Sequence, residues 1–359
     1  MVEYSYGFHS AGNIKDDVRP EMFIVAANDC PLLATLPTRP VGAKLFEWFV
    51  DTLPNPTSVA AAEAEATVTT GATGTRPRWA NVVTKYTEDF FVTNTLRAVD
   101  QHMVTDEYYY KAQKAALALA KRFDTLLHWG TYVAYGSAAS VPRSVGIIPW
   151  LQELGMGRAQ SASTTVVGPN TISSTYYPYW KDCYKDSTAL SEGVFQAGLA
   201  TAYNLGTSIS DCIGFCGATV KNRLSNFQMV YNTTATTSAH DVSVNRTMQK
   251  EMKTRQVAMD YYDSDFGTFG IVVDRRMTAS FSFTTTTQTT SINKFVSGGD
   301  DTIFFIDPAY FSKAVLRDFG RMDLAPTDDS QRGYVVAEMG LEVGNPLAGF
   351  GFSRTDNAA

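Results

Sequence analysis

The chain has 359 residues, 44% hydrophobic and 12% aromatic, and its 30 basic and 36 acidic side chains give a formal net charge of -6. A chain of this length buries roughly three-quarters of its unfolded surface, so it needs no metal or disulfide to hold a core. The absence of a run of Lys or Arg argues against a sequence-specific reader of DNA or RNA, which needs a basic surface, although a protein that only encloses nucleic acid needs none.

The four cysteines are predicted to be reduced, structural thiols. They are scattered along the chain, and no apolar secretory segment occupies roughly the first thirty residues. Cys212 and Cys216 stand four apart, but no Cys or His nearby in the sequence completes a tetrahedral zinc site, so structural thiols are preferred to zinc. No run of about eighteen apolar residues predicts a membrane span. The cysteines are Cys30, Cys183, Cys212 and Cys216.

An extended arm and a long hairpin are predicted at the start of the chain. Prolines interrupt any long helix in residues 1–40. Two strand candidates, Lys44–Asp51 and Trp79–Val92, then flank a stretch rich in Ala, Thr and Gly, and we expect them to pair with a flexible tip between them. A short helix over residues 57–77 is the alternative, which the Thr and Gly residues disfavour.

The hairpin is rich in aromatic side chains, which need cover. A two-stranded ribbon alone in water is marginally stable at best, so either the rest of the chain or a neighbouring subunit must shelter the rings. The residues leave both possibilities open. The rings belong to Phe46, Trp48, Phe49, Trp79, Tyr86, Phe90 and Phe91.

The clearest helix is predicted over Thr105–Trp129. Thr105 suits the N-cap, two acidic residues follow in the first turn, and Gly130 stands after the end. His128 is expected to cap the last carbonyl groups and not to bind a ligand. The predicted apolar face consists of Tyr109, Ala112, Ala116, Leu119, Phe123 and Leu126.

The rest of the chain predicts an α/β layer followed by terminal strands. Residues 152–176 carry no clear pattern. In chain order, the predicted elements are helix 190–205, strand 209–215, helix 218–230, a hairpin over 254–273 turning at Asp265-Phe266-Gly267, a Thr-rich loop or edge strand over 278–299, strand 302–307, a short helix from Pro308, and strands near 333–343 and 347–352.

No catalytic, cofactor-binding or metal site is predicted, and no cofactor is expected. The chain lacks a phosphate-binding glycine loop, a nucleophile elbow and paired histidines. Asp265-Phe266-Gly267 matches a kinase tripeptide but has no catalytic-loop partner, so a turn is favoured. Asp263 and Asp265 form an Asp-x-Asp pair that is weak evidence for a hard metal ion, since a solvated turn explains it equally well. The histidines stand alone, at His9, His102, His128 and His240.

Two groups of short motifs provide evidence of family in addition to the order of the predicted elements. The first is Tyr262-Asp263-Ser264-Asp265-Phe266-Gly267, with Val272-Val273 and Arg276-Met277 after it. The second is Phe305-Ile306-Asp307-Pro308, Gly333 to Glu338, and Leu341-Glu342-Val343-Gly344-Asn345-Pro346. Together with the element order, they resemble the HK97-type major capsid proteins of tailed phages, and in particular the SU10-type branch.

The resemblance implies an α+β capsid fold in five segments. These are an N-terminal arm (1–40), an E-loop hairpin (41–95), a peripheral domain with a long spine helix (96–150), an axial α/β domain with loops (151–299), and terminal strands that complete the peripheral and axial sheets (300–359). The implied function is that of a major capsid protein, a structural and non-enzymatic subunit that self-assembles.

Several partners follow from the same resemblance, and an adjacent copy of the chain is expected to cover the aromatic rings of the hairpin. Pentamers and hexamers of the chain are expected to form an icosahedral phage head that encloses double-stranded DNA without sequence-specific binding. The expected partners are further copies of the chain, a portal protein, and separate scaffolding or decoration proteins, with no membrane. The expected location is the virion, after assembly in the host cytoplasm.

The sequence departs from the family pattern at one feature. Some capsids of this fold join subunits through a lysine at the E-loop tip, but no lysine lies between Pro54 and Ala80, so a shell without covalent cross-links is expected.

Three different functions stay open beside that of the phage head. An encapsulin-like compartment shares the fold, a minor virion protein is a second possibility, and a metal-dependent enzyme using Asp263 and Asp265 is the least favoured.

Overall fold

The computed structural model shows an α+β fold. It describes residues 29–51, 76, 78–99, 106–134, 141–155, 164–167, 170–173, 184–187, 192–204, 206–226, 260–278, 302–326, 328–345 and 348–354. Among the described helices, none is long and apolar enough to cross a membrane.

The helices and strands of the described residues are as follows. The helices are α1 (Pro31–Thr35), α2 (Asn94–Ala98), α3 (Glu107–Trp129), α4 (Ile147–Gly155), α5 (Glu192–Asn204) and α6 (Ala218–Asn226), with 3-10 turns at Ile209–Asp211 and Arg275–Thr278. The strands are β1 (Thr38–Pro40), β2 (Leu45–Phe49), β3 (Arg78–Val82), β4 (Thr84–Thr93), β5 (Thr164–Val167), β6 (Asn170–Ser173), β7 (Tyr184–Ser187), β8 (Ile213–Cys216), β9 (Asp260–Ser264), β10 (Gly267–Val273), β11 (Thr302–Ile306), β12 (Phe311–Asp323), β13 (Ser330–Val343) and β14 (Gly349–Arg354).

The long helix α3 packs on a four-stranded sheet with the order β1-β12-β13-β4. β1 runs parallel to β12, and the other neighbours are antiparallel. The N-cap of α3 is Asp106, whose side chain accepts a hydrogen bond from the Tyr108 amide at 2.9 Å, and not the predicted Thr105. Gly130 follows the helix, as predicted.

The buried face of α3 differs from the predicted one at its start. Tyr108 and Ala115 are buried, whereas Tyr109 is 55% exposed. Tyr108 packs on Phe90 of β4, with ring centroids 5.0 Å apart, and its hydroxyl donates to Asp323 at 2.7 Å. Because Tyr108, Ala112, Ala115 and Leu119 recur at spacings of three and four, they form one stripe on the helix, and Tyr109 falls beside it.

The second sheet has six strands, in the order β7-β14-β11-β8-β10-β9. Its core is largely aromatic: Phe305 stacks on Phe350 at 4.6 Å and meets Phe269 edge-on at 4.8 Å. In α5, Gly198 leaves room for this packing, because a Cβ there would lie 2.2 Å from the Phe352 ring. The core between the two sheets joins α4 to both of them.

Most predicted elements are confirmed within the described residues, with three differences. The predicted hairpin strand 79–92 is two strands, because only β3 pairs with β2 and β4 pairs with β13 instead. The segment after Pro308 is a turn and not a helix: the Asp307 carboxylate accepts the Ala309 amide at 2.9 Å, and β12 begins at Phe311, which is fully buried. The predicted strand over 209–215 divides into a 3-10 turn and β8. The hairpin turning at Asp265 is confirmed as β9 and β10 over 260–273.

Several predicted features fall partly or wholly on residues that are not described. These are residues 1–28 of the arm, residues 52–75 of the hairpin, residues 227–259, and the Thr-rich stretch beyond Thr278. The described end of the arm contains α1 and β1, so this part is not simply extended.

Candidate assembly surfaces and a buried polar junction

The base of the hairpin is buried in the chain's own core. β2 and β3 pair antiparallel, with Trp48 opposite Trp79. Both rings contact Trp150 of α4, at centroid distances of 6.4 and 5.5 Å, and the Trp48 indole N–H donates to the Val343 carbonyl at 2.8 Å. The two strands are therefore anchored to α4 and β13, and we call this region the hairpin root.

This burial corrects the expectation that a neighbouring subunit shelters the hairpin rings. Phe46, Trp48 and Trp79 are 6%, 7% and 2% exposed in the single chain, and Phe90 is buried as well. The ring next to each buried one remains uncovered in β2 and in β4: Phe49 is 72% exposed and Phe91 58%. The correct division is therefore by strand face, because neighbouring residues of a strand point to opposite sides.

Asn81 fixes the hairpin root through a saturated set of hydrogen bonds. Its amide nitrogen donates to the Leu341 carbonyl at 2.7 Å, and its amide oxygen accepts the backbone amides of Val82 and Val145 at 2.9 and 3.2 Å. The side chain is fully buried. A buried amide is stable only when it is paired in this way, so Asn81 holds β3, β13 and the segment before α4 in one register.

Large apolar side chains and an open strand edge are exposed at two places in the four-stranded sheet. No strand of the described residues pairs with the outer edge of β4, which carries Phe91. At the far end of β12 and its following loop, Phe319, Met322 and Leu324 are 38%, 48% and 49% exposed. Exposed apolar groups and open edges are typical of surfaces that another chain covers.

A second feature is a buried cluster of three titratable side chains, which we call the polar junction. Asp124 and His128 lie one turn apart on α3, and Asp274 follows β10. The His128 Nε2 atom lies 3.0 Å from an Asp274 carboxylate oxygen, and the two side chains are 0% and 1% exposed. Two other contacts reach the cluster from α1 and the second 3-10 turn: Leu33 N–H donates to Asp124 at 2.8 Å and Arg276 N–H to Asp274 at 2.7 Å.

The junction perturbs the acid–base properties of its members. Burial raises the pKa of Asp124 to about 6, against the lowering effect of the nearby His128 charge. For His128, burial lowers the pKa, but the Asp274 carboxylate outweighs it and leaves the pKa raised. Burial opposes ionisation of Asp274, yet contact with His128 leaves its pKa lowered. These directions follow from desolvation opposed by an opposite charge.

No site was predicted from the sequence, and the polar junction was missed. Asp124 and His128 stand four residues apart, which places them on one helix face, but Asp274 is distant in the sequence. His128 does contact a carbonyl near the helix end, that of Asp124 at 2.7 Å, as expected of a cap. Within the described ranges, the group of Asp124, His128 and Asp274 is the one set of three close metal-type side chains, and it includes neither Asp263 nor Asp265. The described cysteines, Cys30, Cys212 and Cys216, form no disulfide bond with one another.

Solved structures of similar architecture include capsids. The chain aligns over 98% of its length, and 98% of the other chain, with the capsid of cyanophage A-1(L), at 13% identity and a TM-score of 0.61. The capsid of a native GTA particle gives 11% identity, 97% coverage of both chains and a TM-score of 0.56. Mycobacterium phage Cain gives 12% identity, coverage of 99% and 100%, and a TM-score of 0.55. Curated protein sequences gave no match.

These likenesses define the class of protein: a subunit with the HK97-type capsid fold that the sequence resemblance implied. The sequence model of the SU10 major capsid protein family matches residues 3–354. The chain belongs to the SU10 major capsid protein family. It is therefore a capsid protein, a structural component of the virion.

Proposed function

We propose that copies of this major capsid protein form pentamers and hexamers that close into an icosahedral head around double-stranded DNA. The observation that carries the proposal is the two-sided hairpin root. One face is anchored in the core through Trp48 and Trp79, while Phe49 on the other face is 72% exposed. A rigid strand pair with an uncovered ring suits a contact with an adjacent copy.

Each of the five segments of the chain has its own structural role in the proposed capsid fold. Residues 1–40 form the arm, 41–95 the E-loop, 96–150 the peripheral domain, 151–299 the axial domain, and 300–359 the terminal strands. Strand pairing supports the role given to residues 300–359. β12 and β13 lie in the four-stranded sheet with β4, and β11 and β14 lie in the six-stranded sheet. The last segment thus contributes strands to both sheets.

Enclosure of DNA without sequence-specific binding fits the charge of the chain. The net charge of -6 repels the phosphate backbone. The DNA is therefore confined by a closed wall and not held by a basic surface. A portal protein and separate scaffolding or decoration proteins complete the head, which assembles in the host cytoplasm.

We further propose that the shell is held without covalent cross-links, because no lysine lies between Pro54 and Ala80. Denaturing electrophoresis of purified particles tests this point. This chain is expected to run as one band at the subunit mass of 39.3 kDa, with no bands at multiples of that mass. A ladder of oligomers that survives boiling contradicts it.

Expression of the full chain, alone and with its neighbouring virion proteins, tests the function. Electron microscopy of the purified material is expected to show closed shells with five-fold and six-fold capsomers, and nuclease treatment is expected to leave DNA of genome length in particles from infected cells. Shells of this chain that contain a protein cargo and no DNA support an encapsulin-like compartment instead. A monomer that never assembles under either condition contradicts both functions.

A further inference from the structure

The polar junction brings three buried ligand-type atoms to one point. Asp124, His128 and Asp274 each have an atom within 4.8 Å of the others. Asp124 Oδ2, His128 Nε2 and Asp274 Oδ2 are buried, and none of them makes a hydrogen bond. Two carboxylate oxygens and an imidazole nitrogen left unpaired in a protein interior are costly unless a cation lies among them.

In each of these side chains, the other polar atom is held by the backbone. Asp124 Oδ1 accepts the Leu33 amide at 2.8 Å, and Asp274 Oδ1 accepts the Arg276 amide at 2.7 Å. The His128 Nδ1–H donates to the Asp124 carbonyl oxygen at 2.7 Å. Metal ligands show this arrangement, because a hydrogen bond to the second atom fixes the side chain and, for histidine, the tautomer.

The protonation of the two ring nitrogens of His128 decides which group it presents to Asp274. With Nδ1–H on the Asp124 carbonyl, His128 Nε2 faces Asp274 Oδ2 at 3.0 Å. Nε2 there carries either a proton, as in the ion pair of an imidazolium with Asp274, or a lone pair that can bind a metal ion. At this distance a cation lies between the two atoms, and a metal ion bound here takes the place of the Nε2 proton. Ligand bonds of about 2.0–2.2 Å to two atoms separated by 3.0 Å enclose an angle of about 90°, which a metal coordination sphere accommodates.

We propose that Asp124, His128 and Asp274 bind a divalent transition-metal ion of the Zn²⁺ type. The imidazole disfavours Ca²⁺ and Mg²⁺, which prefer oxygen ligands alone, and Zn²⁺ binds such mixed sites more tightly than Mn²⁺ or Fe²⁺. The ion joins three parts of the chain: α3, the end of β10 and, through Leu33, α1. It is a structural clamp, and the proposal does not depend on the proposed mode of assembly. It departs from the expectation, drawn from the sequence, that the chain has no metal site.

Metal content and thermal unfolding of the full chain test the site. The protein is stripped with a chelator, dialysed, and supplied with Zn²⁺ at roughly 10 μM free concentration. Close to one zinc ion per chain and a rise in Tm are expected for the wild type, since a ligand that binds only the folded state stabilises it. Asp274→Asn keeps the shape and the Arg276 contact but weakens the ligand, so at least a 100-fold loss of affinity is expected; even ligand-supporting residues are worth about 10- to 100-fold.

Asp307→Asn is the matched control. Asp307 is also buried, and its carboxylate also accepts the amide two residues onward, that of Ala309 at 2.9 Å. This variant is expected to bind zinc like the wild type. If Asp274→Asn does not fold, X-ray absorption of zinc on the wild-type chain replaces it, with nitrogen and oxygen ligands including one imidazole as the expected result.

Three results overturn the proposal. The first is a wild-type chain that takes up no stoichiometric zinc and shows no zinc-dependent change in Tm, which leaves a proton as the only cation in the junction. The second is equal zinc binding by the wild type and Asp274→Asn. The third is a zinc absorption spectrum dominated by sulfur ligands or lacking imidazole.

Discussion

The two faces of the hairpin root have opposite surroundings, although they belong to the same two strands. Trp48 and Trp79 are buried against α4 and β13, whereas Phe49, next to Trp48, is 72% exposed. The difference shows that one short ribbon serves two purposes. Its inner face stabilises the subunit, and its outer face is left for contacts between subunits, so substitutions on the two faces should separate folding from assembly.

The largest loss of stability is expected from Trp79→Ala. This ring is 2% exposed and contacts both Trp48 and Trp150, so its removal leaves a cavity and costs about 3–5 kcal/mol in the free energy of unfolding. Urea unfolding of free subunits measures it. Phe49→Ala is the control, with a change within about 0.5 kcal/mol because the ring is exposed. Equal losses in the two variants contradict the two-faced root.

A smaller loss, of about 2–4 kcal/mol, is expected from Asn81→Leu. The replacement has a similar size but leaves the Leu341 carbonyl and the Val145 amide without their partner, and each such buried group costs about 1–3 kcal/mol. Asn94→Ala is the control, since the hydrogen bond from Asn94 to Asp329 is exposed. If Asn81→Leu unfolds at the urea concentration of the wild type, Asn81 does not fix the register of the root.

Tyr108→Phe should cost about 1–2 kcal/mol, because the ring stays in place and one hydrogen bond to the Asp323 carboxylate, at 2.7 Å, is lost. The neighbouring Tyr109 is exposed, so Tyr109→Phe should leave the unfolding curve unchanged. The comparison measures how firmly α3 is joined to β12. Identical curves for Tyr108→Phe and the wild type would falsify this contribution.

The smallest effect on stability is expected from Phe49→Glu, although the effect on assembly is large. The exposed ring adds little to the free subunit, so its Tm should change by no more than about 1 °C, a shift that matches less than about 0.5 kcal/mol. A charge at an apolar contact should raise the subunit concentration needed for assembly at least about 10-fold. Light scattering during assembly measures this, with Phe49→Tyr as the conservative control that assembles normally.

Elements that depend on local pattern were predictable from the sequence, and contacts between distant segments were not. The helix now seen as α3 was visible in its spacing and in Gly130 after its end, and the order of motifs indicated the capsid fold. The burial of Trp48 depends on Val343 and Trp150, which local alternation does not reveal. For the same reason the polar junction was missed, because Asp274 reaches His128 only when the 3-10 turn after it, Arg275–Thr278, packs beside α3.

Hydroxyl-radical footprinting, read by mass spectrometry at single residues, tests the central claim most directly. Free subunits and closed particles are oxidised under the same dose. We expect Trp48 and Trp79 to be protected in both states, and Phe49 to be oxidised in free subunits and protected in particles. Oxidation of the two tryptophans in free subunits, or equal oxidation of Phe49 in both states, contradicts the two-faced root.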